Sequence, residues 1–396
     1  MKTGITTAVA ALALGLAATA PLRAAPYTVT EVMSGLVTPR GLAFGPDGAL
    51  YVAEAGSGGG IGAPSIVLGN GNTAYLGATS AISRWSGGVQ TRVVSGLASI
   101  ATATGGDAGG MQDIVFDGTG QAYGLFGLGA SPLARDASLG TAGAELGTIV
   151  RLSLDGSNAR TLVADISAHE ATNPDGGSID SNPFGFAKVA GGGFIVADAG
   201  GNSFLQATSA GAVSTLGVIG PRPNPLFPFG PPTFQSVPTS VAVGADGAYY
   251  IGELTGFPFP PGAANVYRYD PLTATTSVAY AGFTNIVDIA FDAEGDLFVL
   301  QISSNGLASP SGPGTGVLIE IDGATGERTT IASDGLFFPG GLAIGNDGAL
   351  YVTNLSHLPE GGQVLRIAEV PEPQTWSLLL AGIAALAWRT RVRRAG

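Results

Sequence analysis

The chain has 396 residues, 64 glycines, no cysteine and a formal net charge of −12 at neutral pH. The acidic balance disfavours nucleic acid and anionic lipid as partners, because both would repel the protein. Without cysteine there is no thiol nucleophile and no disulfide, so packing alone must hold the fold together. A hydrophobic fraction of 45% excludes a disordered chain.

Residues 1–25 have the pattern of a secretory signal peptide. Lys2 supplies the positive start, residues 5–20 are apolar and rich in alanine, and small residues place the cleavage near Ala24 or Ala25. We therefore expect an exported protein whose folded domain spans residues 26–369.

One unit recurs six times in residues 26–369: an apolar strand, a turn rich in Gly and Asp, and a second apolar strand. The copies lie at 41–54, 113–123, 185–198, 240–253, 288–301 and 341–354. Each predicts a β-hairpin, and two more strands follow most copies. Four strands in each of six repeats predict an all-β fold, a six-bladed β-propeller. The alternative, a two-sheet sandwich, does not explain the repeat.

The sixth blade has only three strands of its own, the last at residues 363–369. We expect the N-terminal strand at residues 27–33 to supply the fourth strand and so close the ring. The propeller would then be flanked by the signal peptide and a C-terminal sorting helix.

Loop lengths distinguish the two faces of the expected disc. The hairpin turns at 45–48, 117–120, 244–247 and 345–348 are short, and we call their side the turn face. The connections at 55–80, 98–112, 126–147, 166–183, 217–238, 253–264 and 303–315 are long, and propeller geometry places them on the opposite side, the loop face. Since long ordered loops on a rigid scaffold commonly carry function, we expect the site at the loop face and the mouth of the central channel.

Polar residues stand at equivalent places in the repeats. The second strand ends at Glu54, Asp198, Glu253, Gln301 and Asn354, and the first strand begins near Asp113 and Asp288. We expect these side chains to face the channel, where Glu54, Asp198, Glu253 and Asn354 would hold Ca²⁺ through oxygen ligands. The alternative is that they bond backbone groups at the strand ends.

A second polar cluster lies in the loop at 169–182. His169, Asp180 and Asn182 are its candidate ligand-binding residues, although the spacing fits no EF-hand. No Gly-x-Ser-x-Gly elbow, His-Glu-x-x-His motif or phosphate loop is present, and His169 and His357 are the only imidazoles. A lone histidine in a loop is usually just solvated, so no residue is assigned a catalytic role.

The last segment, residues 370–396, combines Pro371, Glu372 and Pro373 with an apolar run at 376–388 and four terminal arginines. This order resembles the PEP-CTERM sorting tail. The resemblance implies transient membrane insertion, cleavage by an exosortase in a Gram-negative bacterium that makes an exopolysaccharide matrix, and delivery to the cell surface or matrix. The alternative is an ordinary C-terminal anchor, for which 13 apolar residues are short against the roughly 20 that span a bilayer.

Several motifs resemble the ScyD/ScyE family over residues 27–368. They are the segments 39–55, 173–185 and 196–202 and the distinctive run Gly-Glu-Leu-Thr-Gly-Phe-Pro-Phe-Pro-Pro-Gly at 252–262. The resemblance implies a secreted propeller related in shape to NHL-repeat proteins, and it carries over no catalytic residue.

These observations favour an exported, non-catalytic propeller that binds a polysaccharide, small molecule or protein in the envelope or exopolysaccharide matrix. The alternative is a metal-dependent hydrolase similar to the gluconolactonase or strictosidine-synthase propellers, with Glu54, Asp198, Glu253 and Asn354 as metal ligands. A third hypothesis is a structural protein of the matrix.

Overall fold

The computed structural model describes residues 27–370, which form one compact unit, and the helical residues 382 and 383. The predicted signal peptide at residues 1–25 and the predicted processing motif Pro371, Glu372 and Pro373 lie outside the described residues. Within the described part of the chain, no helix has the length and apolar character needed to cross a bilayer.

The described chain is almost entirely β-structure, with two short α-helices, α1 (Pro132–Leu139) and α2 (Ile166–Glu170), and a 3-10 turn at Gly140–Gly143. In chain order the strands are β1 (Tyr27–Leu36), β2 (Pro39–Phe44), β3 (Leu50–Glu54), β4 (Ser65–Val67), β5 (Thr73–Ser86), β6 (Val89–Ala101), β7 (Met111–Phe116), β8 (Ala122–Phe126), β9 (Thr148–Leu152), β10 (Arg160–Asp165), β11 (Pro183–Lys188), β12 (Phe194–Asp198), β13 (Ser203–Ala207), β14 (Val213–Val218), β15 (Arg222–Pro223), β16 (Thr233–Phe234), β17 (Pro238–Val243), β18 (Tyr249–Glu253), β19 (Ala264–Asp270), β20 (Thr275–Phe283), β21 (Ile286–Phe291), β22 (Leu297–Gln301), β23 (Val317–Ile321), β24 (Arg328–Ala332), β25 (Leu342–Ile344), β26 (Leu350–Asn354) and β27 (Gly362–Glu369).

Six antiparallel sheets form the blades, which confirms the predicted six-bladed propeller. From the inside outward, blade 1 is β2-β3-β5-β6 with β4 added beside β5, blade 2 is β7-β8-β9-β10, blade 3 is β11-β12-β13-β14, blade 4 is β17-β18-β19-β20, blade 5 is β21-β22-β23-β24, and blade 6 is β25-β26-β27-β1. The first strand of each blade contacts the first strand of the next, and β25 returns to β2. The six inner strands therefore surround one central channel.

Blade 6 combines the two ends of the described chain, as predicted. β1 pairs antiparallel with β27 from Tyr27 opposite Glu369 to Leu36 opposite Gly362, so the closing strand is three residues longer than the expected 27–33. Its end is anchored by Met33 and Leu36, which are buried against β2 and β27. The pairing covers the edge of β27, which would otherwise be free to join another chain.

The hydrophobic core lies between the blades. The second strands β3, β12, β22 and β26 are buried over their whole length, which explains why these segments read as continuous apolar runs. Neighbouring blades also share aromatic pairs with ring centroids 4.9–5.3 Å apart: Phe44–Tyr351, Tyr51–Phe116, Tyr123–Phe194, Phe204–Tyr269 and Tyr250–Phe291. Such pairs add about 0.5–1.5 kcal/mol each beyond their buried area.

The two faces differ as the loop lengths predict. Each first strand runs toward a tight turn, in which a residue such as Gly48 adopts a positive φ of 72°. The second strand then returns to the loop face, where the long connections begin. These connections contain α1, α2, β4 and the small hairpin β15–β16.

Candidate binding site at the channel mouth

Glu54 shows what the polar residues at the ends of the second strands do. Its carboxylate is fully buried and accepts hydrogen bonds from Val37 N at 2.7 Å, Ser83 Oγ at 2.6 Å and Arg92 Nη2 at 2.7 Å. Ser83 and Arg92 belong to the outer strands β5 and β6. The side chain therefore points outward within blade 1, away from the channel.

The same arrangement recurs in other blades. Asp198 accepts from Asn182 N at 2.7 Å, Gln301 from Thr284 N at 2.6 Å, and Asn354 from Phe337 N at 2.7 Å. Each donor lies in the segment that leads into the first strand of the same blade. These residues therefore fix the path by which the chain enters each blade, which is the backbone-bonding alternative considered for them.

Glu253 ends the second strand of blade 4, and its hydrogen-bond donors differ from those of the other strand-end residues. It accepts from Asn265 N at 3.0 Å and from Arg222 Nη2 at 2.6 Å. Burial raises the pKa of Glu253 to about 7, and Arg222 acts in the opposite direction. The carboxylate is fully buried, so it too is enclosed within its blade.

The predicted calcium site is therefore corrected. Glu54, Asp198, Glu253 and Asn354 lie in four different blades, and each has its own partners there. Across the residues that the structure describes, no group of three His, Asp or Glu side chains is placed to hold a metal ion. The second strands are buried on both faces, so their sequences do not reveal which side chains face the channel.

Asp113 and Asp288 do line the channel, in blades 2 and 5. Asp113 Oδ2 accepts from Phe186 N of blade 3 at 3.2 Å, and Asp288 Oδ2 accepts from Leu342 N of blade 6 at 2.7 Å. Burial and the negative charge of Asp288 raise the pKa of Asp113 well above its ordinary value, and burial raises the pKa of Asp288 to about 7. Both residues thus join consecutive blades at the axis.

The space beside Asp113 is narrow. The equivalent residue of blade 1 is Gly41, and a Cβ built there would stand 2.0 Å from Asp113 Oδ1. A larger residue at position 41 would displace the carboxylate. At this level the Asp113 carboxylate therefore packs directly against the inner strand of blade 1.

A cavity of about 470 Å³ opens above this level, on the loop face. We call it the channel-mouth cavity. Its lining includes polar side chains and aromatic rings from four blades and their loops: Arg40, Asn70, Asp107, Gln112, Asp180, Asn182, Phe184, Phe257 and Phe259.

Three residues that line this cavity each carry a buried polar atom without a hydrogen-bond partner in the protein: Arg40 at Nε, Gln112 at Oε1 and Asp180 at Oδ1. Each such atom costs about 1–3 kcal/mol relative to a bonded one. Unsatisfied polar groups in residues that line a cavity together with aromatic rings are typical of a binding site.

The charges in the cavity are of both signs. The Arg40 guanidinium donates to Ala108 O at 3.3 Å and lies 5.6 Å from the centre of the Phe184 ring. Burial lowers the pKa of Arg40 to about 10, against the attraction of Asp107, so the group stays cationic at neutral pH. Burial, with the charges of Asp198 and Asp175, raises the pKa of Asp180 to about 6.

Of the predicted ligand-binding residues, the structure brings Asp180 and Asn182 to the channel-mouth cavity. Asn182 Oδ1 accepts from Leu128 N at 3.3 Å. His169 lies in α2, and its Nε2 is 2.8 Å from Thr215 Oγ1 on the outer strand β14. It is therefore at the periphery of the loop face.

Sequence reasoning missed Arg40, Gln112 and Phe184. They occupy one repeat position, immediately before Gly41, Asp113 and Gly185, where the inner strand enters the channel mouth. The sequence did contain a signal for them: the residue at this repeat position differs from blade to blade, whereas the hairpin that follows it is similar in every copy. The variation indicates a surface that each blade contributes differently.

No known protein family matches the sequence, and no curated protein matches it either. Solved structures do share its fold. A Bacteroides thetaiotaomicron protein of unknown function is similar over 86% of this chain and 76% of its own, with 9% identity and a TM-score of 0.53. A virginiamycin B lyase from Staphylococcus aureus is similar over 87% of this chain and 100% of its own, with 12% identity and a TM-score of 0.46. A putative gluconolactonase is similar over 87% of this chain and 94% of its own, with 10% identity and a TM-score of 0.48. The similarity to the Bacteroides protein supports the propeller fold alone, and the likeness to the ScyD/ScyE family stays a prediction.

Proposed function

We propose that the chain is an exported, non-catalytic propeller that binds an acidic saccharide of the envelope or extracellular matrix in the channel-mouth cavity. The observation that carries this proposal is that Arg40, Gln112 and Asp180, each with a buried polar atom that lacks a partner, line one cavity. The ScyD/ScyE resemblance and the sorting-tail resemblance at 370–396, with its implied exosortase, support delivery to the cell surface or matrix.

The chemistry of the lining favours a sugar with a carboxylate. The Arg40 guanidinium suits a carboxylate group, to which it donates charge-assisted hydrogen bonds. Gln112 and Asp180 suit hydroxyl groups, because an amide and a carboxylate both accept from O–H. The rings of Phe184, Phe257 and Phe259 offer apolar surface to the C–H groups of the sugar.

The test is calorimetric titration of residues 27–370 with uronic-acid oligosaccharides and with neutral oligosaccharides of the same length. We expect the acidic sugars to bind more tightly and Arg40→Gln to weaken them about tenfold or more, since a charge-assisted hydrogen bond is worth about 1.5–3 kcal/mol. Arg84→Gln is the matched control, because Arg84 pairs with Asp47 on the turn face. Absence of saccharide binding, or equal binding by Arg40→Gln, contradicts the proposal.

The hydrolase alternative has one observation in its favour, the raised pKa of Asp180 inside the cavity. It is tested in the same samples by following lactone and ester hydrolysis. Turnover that Asp180→Asn abolishes, and that Arg84→Gln leaves intact, would replace the binding function by a catalytic one.

A further inference from the structure

Glu170, the last residue of α2, begins the loop whose residues Asp180 and Asn182 line the channel-mouth cavity. Glu170 has no exposed surface, and neither of its carboxylate oxygens has a hydrogen-bond partner in the protein. An ionised carboxylate buried in this way costs several kcal/mol unless a positive charge or donors compensate it. The fold therefore contains an unbalanced acid at a position that the binding function does not use.

A partnerless hydroxyl oxygen, that of Ser203, lies near Glu170 and beside Gly201. A Cβ built on Gly201 would stand 2.6 Å from Glu170 Oε2 and 3.3 Å from Ser203 Oγ. Ser203 is also fully buried, and its Oγ also has no partner. Two partnerless oxygens thus lie close to the bare Cα of one glycine, and a side chain at position 201 would crowd both of them.

The surrounding charge has one sign. Burial, followed by the negative charges of Asp198, Asp175 and Asp180, raises the pKa of Glu170 to about 8. None of these four carboxylates forms a salt bridge among the residues described. Asp198 is satisfied by neutral donors, including Gly201 N at 3.2 Å.

We propose that a hard divalent cation of the calcium type binds between Glu170 and Ser203. Carboxylate, hydroxyl, carbonyl and water oxygens are the ligands that Ca²⁺ accepts, in flexible geometry. Asp175, Asp180 and Asp198 contribute negative charge around the ion, while Glu170 and Ser203 supply ligand oxygens. This site is distinct from the strand-end site that the sequence suggested, which drew on four blades.

The position of the ion gives it a role in the loop at 170–182. Asp180 and Asn182 of this loop line the channel-mouth cavity, and Asn182 N donates to Asp198 at 2.7 Å. A cation held by Glu170 balances the charge under the loop and so stabilises the conformation that presents these two residues. The site therefore links metal content to the shape of the cavity.

The test measures the Tm of residues 27–370 near pH 7.5 in EDTA and in increasing Ca²⁺, with calorimetry for the stoichiometry. We expect one ion per chain and a Tm rise of about 3–4 °C at a Ca²⁺ concentration a hundredfold above its Kd. Glu170→Gln should abolish this rise, because it removes the carboxylate that would hold the ion. Glu294→Gln, an exposed change on the turn face, should keep the full response.

Two results would overturn the proposal. The first is a Tm that does not respond to Ca²⁺ in the unchanged protein. The second is a Ca²⁺ response that Glu170→Gln retains in full, which would place the ion elsewhere. Glu170→Gln preserves the size of the side chain, and its Tm in EDTA shows whether it folds.

Discussion

Arg92 and Arg84 each place a guanidinium nitrogen 2.7 Å from a carboxylate oxygen in blade 1, yet their surroundings differ. Arg84 pairs with Asp47, whose side chain is 40% exposed. Arg92 pairs with Glu54, whose side chain is fully buried. Water can replace the partner of Asp47, but it cannot easily reach Glu54.

We therefore expect Arg92→Ala to lower the free energy of unfolding by about 2–3 kcal/mol, because it leaves a buried carboxylate with only neutral donors. Arg84→Ala should cost less than about 1 kcal/mol, as an exposed ion pair does. Urea unfolding of residues 27–370 measures both. Equal losses would mean that the burial of Glu54 has no energetic consequence.

At the scale of single elements, β1 is the strand on which closure of the ring depends. It pairs with β27 along residues 27–36, and no other strand of the described chain covers that edge of β27. Its inward-facing residues also complete the core between blades 6 and 1.

Removing this strand should expose β27. We expect the segment 37–370 to self-associate and to melt at a lower temperature than 27–370, because an uncovered edge pairs with other chains. Size-exclusion chromatography with light scattering measures the association. A monomeric 37–370 with an unchanged Tm would show that β1 is dispensable.

The elements also show what the sequence could predict. The six hairpins and the closing strand were predictable because their apolar runs and glycine turns repeat. Helices α1 and α2 were not, because each is short and is held by distant contacts: Arg135 of α1 donates to Asp165 Oδ2 at 2.9 Å and to Ser167 Oγ at 2.6 Å. Such contacts leave no local periodicity to detect.

The candidate site was partly predictable for a related reason. Loop length identified the loop face, and the polar content of 169–182 pointed to Asp180 and Asn182. The strand-end acids were misplaced because strands buried on both faces lack the alternation that reveals orientation. Arg40 and Gln112 matter only because the propeller brings inner strands from different blades to one channel, which no local pattern encodes.

At the scale of the whole molecule, several acids have raised pKa values in the folded state. Burial is the chief cause of the raised pKa values of Asp113 and Asp288. Burial also raises the pKa of Glu253, although the nearby Arg222 lowers it. The folded protein then binds more protons than the unfolded chain between about pH 4 and pH 7. These groups therefore stabilise the folded state at the acidic end of that range, and their contribution to the free energy of unfolding is lost as the pH rises through their folded-state pKa values.

We therefore expect the Tm of residues 27–370 in EDTA to fall as the pH rises from about 5 to 8. Acids with lowered pKa values, such as Asp117 at about 2, change protonation only below this range. Scanning calorimetry across the range measures the slope, and Asp288→Asn should make it shallower. A Tm that rises with pH in both proteins would contradict the assignment.

The pairing of β1 with β27 also fixes where the described chain begins and ends. Tyr27 and Glu369 stand opposite each other at the turn-face end of blade 6, beside the turn at 345–348. The chain therefore enters and leaves the disc at neighbouring points, on the side opposite the channel-mouth cavity. Residues 27 and 370 are thus the two points at which a tag or a surface linker can be joined to the segment 27–370 without touching the channel-mouth cavity.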